Sequence, residues 1–272
     1  MNQTAAVHKN SVMMNPMIRR LSRVEERDED NCASYGGIAV KTIIFMLAAV
    51  AGFAAYFVLH GMLAGSPTME VQGYTFYQTE GIICAAALVL SFLAPFIALI
   101  IRPLIPLFGI IYCAGLGYSI TLLGSVLGAD YAELVFLALG LTILLVAVMV
   151  ILYTTGIVKV TKHFRTVMLT HFLTAIISGI VGFLLSFIPG VSHIVAFFGE
   201  APIFGIVLGV VYIIIACMFL LVDFDTIQRT VENKLPKKYE WAAAFGLAYT
   251  VIYLFLKIFN LICKLTQNNK NS

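Results

Sequence analysis

Seven long apolar stretches run along this chain almost without pause: Ile38 to Leu63, Glu80 to Ile101, Leu104 to Leu127, Tyr131 to Tyr153, Val167 to Ile188, Ala201 to Val222 and Tyr239 to Cys263. Each has about the ~20 residues that a helix rising ~1.5 Å per residue needs to cross ~30 Å of hydrocarbon. Backbone groups in lipid find no water to bond. The stretches are too long and too poorly alternating for barrel strands, which leaves helices. The expected fold class is therefore an all-α membrane protein, a seven-transmembrane-helix bundle. With 61% hydrophobic and 11% charged residues, against roughly a quarter charged in an ordinary soluble domain, a water-soluble reading is excluded. The net charge of +3 comes with no Lys/Arg cluster interleaved with aromatics outside the spans, so no nucleic-acid partner is expected. The lipid bilayer is the first partner.

The expected organisation is a polar N-terminal tail over 1-37, a transmembrane domain over 38-263 and a polar C-terminal tail over 264-272. The tail mixes Arg19, Arg20, Arg23 and Arg27 with Glu25, Glu26, Asp28, Glu29 and Asp30, which is no signal peptide. Met14, Met17, Ile18 and Leu21 fall at helical spacing beside the arginines, as in a short helix on an anionic membrane surface; a solvated tail is the simpler alternative. Gly65-Ser66-Pro67, Arg102-Pro103, Gly128-Ala129-Asp130, Pro189-Gly190 and Leu235-Pro236 mark the turns. The five cysteines are odd in number and form no C-x-x-C pair; they read as packing residues.

Positive charge near a helix end resists translocation. The tail, Arg102, the Lys159, Lys162 and Arg165 connection, and Arg229 with Lys234, Lys237 and Lys238 alternate with connections that hold no Lys or Arg. This predicts a multi-pass protein of the cell membrane with a cytoplasmic N-terminus. The discord is the last stretch, where Lys257, Lys264 and Lys270 fall toward the outer side. Either they are outvoted, or the final segment enters and leaves on one side. Gly124 with Gly128, and Gly205 with Gly209, give the small-x-x-x-small spacing of close helix packing.

Ionisable groups inside a membrane cost ~2.5 kcal/mol or more each, so the few present are where function is sought. They are Glu80, Asp130, Glu133, His171, Asp223, Asp225, Glu240 and Lys257. Glu80, Asp130 and Glu133 read as hydrated acids at helix starts, and His171 as an interfacial histidine. His163 and His171 are not at ligand spacing, so no metal or cofactor is assigned. The segment from Leu221 to Glu232 places two acids after a long apolar run. Residues i and i+2 point about 200° apart on a helix, so at most one of Asp223 and Asp225 faces the interior. Asp225 has Gln228 and Arg229 on its own face. It reads either as a hydrated acid tied to Arg229, or as a carboxyl partly withdrawn from water that exchanges a proton near neutral pH.

At this segment the sequence resembles the Bax inhibitor and YccA-like family of membrane proteins, in its bacterial branch. The resemblance is carried by Asn15-Pro16, Gly36-Gly37 with Lys41-Thr42, Arg102-Pro103, the loop from Thr155 to Arg165, Asp223-Phe224-Asp225, and Glu240-Trp241 through Phe245-Gly246. It implies a seven-helix fold with the last helix central and a pH-dependent cation leak, mainly of calcium. In relatives two acids, late in the sixth helix and within the seventh, form the proton sensor and gate. The first maps onto Asp225, with Asp-x-x-Gln completed by Gln228. The second maps onto Thr250, and other members of the branch have an acid where this chain has Lys257. A threonine can hydrogen-bond Asp225 but adds no charge to couple with it.

Two functions compete. The first is a pH-modulated cation conduit with Asp225 and Asp223 as gate and sensor and Gln228, Arg229, Glu240 and Thr250 as supporting polar groups, its partners being cations, calcium and protons among them. The alternative is a non-conducting regulator that binds another membrane protein, such as a membrane protease. No enzyme is expected: Gly115-Leu116-Gly117 is followed by Tyr118 where an intramembrane aspartyl protease needs an acid, and no Ser/His pair stands in a suitable motif.

Overall fold

The computed structural model describes residues 31–71, 74–127, 131–185 and 202–270. The surface-helix reading of the tail, Asp130 with its turn, and the Pro189-Gly190 turn lie outside them. Helix α1 spans Tyr35–Met62 and is followed by a hairpin of β1 (Thr68–Val71) and β2 (Tyr74–Tyr77). Then come α2 (Gln78–Ile100), α3 (Ile105–Leu127), α4 (Tyr131–Thr154), α5 (Lys162–Leu185), α6 (Pro202–Glu232) and α7 (Tyr239–Lys270). Among the described residues six of the helices are long and apolar enough to cross a membrane, and α2 is apolar over its part Gln78–Ala94. The chain is an all-α, multi-pass membrane bundle.

Local chemistry sets the boundaries. The Ser34 hydroxyl accepts from the Gly37 amide at 3.0 Å and caps α1. Gly65, at φ 88°, turns the chain into a conformation open to glycine. The antiparallel hairpin then pairs Thr68 with Tyr77 and Met69 with Phe76. This hairpin was not foreseen, because its strands are only four residues long and sit beside a far stronger apolar signal. The Thr161 hydroxyl accepts from the Phe164 amide at 3.2 Å at the start of α5. Helix α6 continues well past Val222 to Glu232, and α7 to Lys270, because polar residues extend a helix readily once it has left the hydrocarbon.

Helix α7 is one continuous helix of 32 residues, about 48 Å long at ~1.5 Å per residue. It therefore crosses from one end of the bundle to the other, and the alternative of entering and leaving on one side does not hold. It is also the centre. One face packs Ala243, Ala244, Phe245, Ala248 and Ile252 against Ile38 and Phe45 of α1, Ala94 of α2 and Tyr112 and Cys113 of α3. Another packs Leu254, Ile258 and Ile262 against Ala138 of α4 and Ala216 of α6. Apolar side chains of α1, α4 and α5 such as Leu47, Ile143 and Leu169 point outward, as a lipid-facing surface requires.

Helices α1 and α3 cross most closely. A Cβ on Gly52 would lie 2.0 Å from the Ala114 carbonyl oxygen, and one on Gly117 2.0 Å from that of Ala49. Small residues let backbones meet where lipid supplies no hydrophobic drive between helices. The sequence spacing singled out other glycines. Of those, Gly124 lies under the Tyr131 ring, and Gly205 and Gly209 face Lys264 and Leu261 of α7; Gly128 lies outside the described residues.

Candidate functional site

We call the end of the bundle holding the starts of α1 and α7 the near end. Three backbone contacts bring those starts together: Ala33 N donates to Leu235 O at 2.7 Å, Lys237 N donates to Asn31 O at 2.9 Å, and Cys32 pairs with Pro236. Helix α6 also ends here and α5 begins here, so most of the charged residues of the spans converge at this end.

Asp225 stands about 10 Å along α6 from Glu232 at ~1.5 Å per residue and is buried, at 8% exposure. Its Oδ2 accepts from Arg165 Nη2 at 2.6 Å and from Arg229 Nε at 2.8 Å. Arg229 was expected from the i,i+4 spacing; Arg165, from α5, was not, since it lies 60 residues away. Arg165 Nη2 also donates to Thr226 Oγ1 at 3.1 Å, while its buried Nε has no hydrogen-bond partner among the described residues. Charge-assisted bonds of this kind are about twice as strong as neutral ones. The carboxylate thus ties α6 to the first turn of α5. Beside it opens a cavity of about 740 Å³, lined among others by Tyr35, Tyr153, Lys159 and Gln228.

Gln228 does not bond Asp225. Its Oε1 accepts from the Tyr153 hydroxyl of α4, and its Nε2 donates to Glu232 Oε1 at 2.6 Å. The amide instead links α4 with the end of α6.

Thr250 likewise does not reach Asp225. It lies beside Asp223 instead, which points from the other side of α6 into α7 and not away from the protein. Both directions are interior, because α6 packs on α7 with one face and against α4 and α5 with the other; the expectation that only one acid faces inward fails for that reason. Asp223 Oδ1 comes to 3.3 Å from where a Cβ on Gly246 would be, and its buried Oδ2 has no hydrogen-bond partner among the described residues. Asp223 and Thr250 lie about 13 Å and 16 Å into their helices from the near end, close to the middle of a ~30 Å hydrocarbon layer.

Glu240 is no part of this mouth. It is fully buried and binds the Lys41 ammonium, and its Oε1 accepts from Ser34 N at 2.9 Å and Ser34 Oγ at 3.3 Å. Lys41 also stands 5.2 Å from the centre of the Trp241 ring. A Cβ on Gly37 would fall 2.3 Å from Glu240 Oε1, so Gly37 makes room for the carboxylate. This is a staple between α1 and α7.

The other ionisable groups separate in the same way. Glu133 is exposed at the start of α4, and His171 rests on the Phe219 ring. Glu80 is not hydrated: it is fully buried and bonded to His60. Lys257 sits over the rings of Tyr212 and Tyr253 at 4.5 and 5.0 Å. It lies about 27 Å along α7, where a lysine can extend to the far interface. Among the described residues no group of three or more His, Cys, Asp or Glu could hold a metal ion.

The near-end arrangement, a buried aspartate late in the sixth helix beside a central seventh helix, is carried on a chain that matches the sequence model of one known family over nearly its whole length. No curated protein and no solved structure matches it significantly. The match covers residues 15–267 under the description Bax inhibitor 1 like, and the chain belongs to that family.

Proposed function

We propose that this protein is a pH-modulated cation conduit of the cell membrane with its near end in the cytoplasm, held shut by Asp225 bridging Arg165 and Arg229. The concentration of Lys159, Lys162, Arg165, Arg229, Lys237 and Lys238 at the near end supports that orientation. The observation that carries the reading is the single carboxylate oxygen shared by two guanidiniums from different helices beside a cavity. Protonating Asp225 removes the negative charge that Arg165 and Arg229 share and leaves those two like charges facing each other, so α5 is pushed from α6. Asp223, deeper and with one oxygen unpartnered, is the next carboxylate a cation entering from that mouth meets. Family resemblance makes calcium the first cation to try.

The test is calcium flux into dye-loaded liposomes holding the purified full chain, with pH lowered from about 8 toward the ordinary carboxylate range of about 4. Flux is expected to rise as pH falls. Absence of flux throughout removes the conduit. It leaves the second reading, a non-conducting regulator of another membrane protein, which the replacement of the second acid by Thr250 favours.

A further inference from the structure

Helix α1 is fastened at both ends to a fully buried glutamate, and the two fastenings differ in chemistry. At the near end Glu240 faces the ammonium of Lys41. At the far end Glu80, in the first turn of α2, faces His60 in the last turn of α1, with Nδ1 2.8 Å from Oε1. Glu80 Oε2 also accepts from the Tyr77 amide at 3.4 Å, so the same carboxylate holds the end of the hairpin.

Among the described residues the other groups facing the pair are neutral. From α1 the Tyr56 ring stacks on His60 at 5.5 Å, with its hydroxyl 3.4 Å from Nδ1 and donating to Ser125 Oγ of α3 at 2.8 Å. From β2 the Tyr77 ring lies 5.2 Å from the imidazole. From α3 Tyr118 packs on Tyr56, its buried hydroxyl without a hydrogen-bond partner among the described residues. Cys84 of α2 is buried in the same cluster. The connection from Leu63 to Tyr77 contains no Lys or Arg, and its one acid, Glu70, is exposed. Among the described residues His60 is thus the only group in this cluster able to supply positive charge to Glu80. Its side chain is 51% exposed, against 0% for Glu80, so protons from the far side reach the imidazole directly.

We propose that His60 and Glu80 form a protonation-dependent clamp at the far end, closed when His60 is charged and loosened when it is neutral, acting on α1, the hairpin and the start of α2. An ionised carboxylate with no counter-charge is costly to bury, and histidine is the side chain that ordinarily gains or loses charge between about pH 5 and 8. The sign is opposite to that of the Asp225 bridge: acid tightens the far end and opens the near end. The clamp stands on its own geometry and does not depend on conduction.

The test is amide hydrogen exchange of the full chain in lipid nanodiscs at about pH 6 and pH 8, either side of the usual histidine range, after correction for the chemical exchange rate. Peptides over residues 56–84 of the natural chain should exchange roughly tenfold faster at the higher pH, as loss of the counter-charge to a buried carboxylate implies. Peptides of α7 should not change. With His60→Lys the segment should stay protected at both pH values, and with His60→Gln it should exchange fast at both. Equal corrected exchange at both pH values in the natural chain overturns the clamp, as does a pH response that survives in His60→Lys, a variant that keeps the positive charge and so does not depend on the fate of His60→Gln. Neither result bears on flux through Asp225.

Discussion

Replacing Gly52 with alanine tests the packing on which the membrane core depends. The new methyl would fall 2.0 Å from the Ala114 carbonyl oxygen and 2.7 Å from its carbon, where ordinary contact begins at 3.4 Å. These are backbone atoms in the middle of α3, so no side-chain rotation relieves the clash; α1 and α3 must part by about 1.4 Å, the difference between 3.4 and 2.0 Å. Parting them also loosens Phe45 and Tyr112, which share one cluster with the central helix. Alanine is the better helix former by ~1 kcal/mol, whereas overpacking costs ~1–3 kcal/mol and occasionally more. With rigid backbone on both sides the upper end applies, giving a net loss of about 2 kcal/mol. At ~2–4 °C per kcal/mol for a chain of this size, the melting temperature in detergent, read by the fraction staying monodisperse after heating, should drop by roughly 4–8 °C. Gly36→Ala, where a Cβ meets nothing within 4 Å, is the control and should melt unchanged or slightly higher. A Gly52→Ala protein that melts with the natural chain would refute the close crossing of α1 and α3.

Lys41→Met leaves Glu240 buried and unpaired, which costs ~3–5 kcal/mol, and much of that should return in Lys41→Met with Glu240→Gln, since the uncompensated charge is then gone; a thermal-melt double-mutant cycle checks it, and additive losses would contradict the staple. Asp223→Asn, by removing a buried charge with an unpartnered oxygen, should stabilise the fold by about 1 kcal/mol in the same assay, whereas a loss would mean that the acid is fully satisfied. Arg165→Gln should raise calcium flux at neutral pH, because one of the two charge-assisted bonds to Asp225 is gone; unchanged flux in reconstituted liposomes would show that the bridge holds nothing shut.

The helices were legible because hydrocarbon thickness imposes a length and lipid forbids other backbone structures, so composition alone marks each span. The polar extension of α6 was legible too, in a helical pattern that runs on past Asp223 until Pro236 stops it; that of α7 over residues 264–270 was not, because nothing apolar drives those residues into a helix. The site was half legible. The Asp225 to Arg229 pair follows from i,i+4 spacing, and the importance of the segment from two acids after an apolar run. Arg165, Lys41 and His60 were invisible as partners because each meets its acid across tertiary distance. The one signal available was that Lys41 and His60 stand inside or beside apolar stretches, where a charge must find an opposite. The assignment of Thr250 to Asp225 failed since both faces of α6 are interior, a condition that helical periodicity cannot reveal.

The central claim is that the negative charge of Asp225 keeps the near end closed. Asp225→Asn preserves the shape and the acceptor oxygen while deleting that charge, so calcium flux into liposomes at neutral pH measures the claim directly. Flux at least roughly tenfold above the natural chain, and no longer rising with acid, is the predicted result, the charge being worth more than ~1.4 kcal/mol of closed-state preference. Flux equal to that of the natural chain, with the same response to pH, would contradict it.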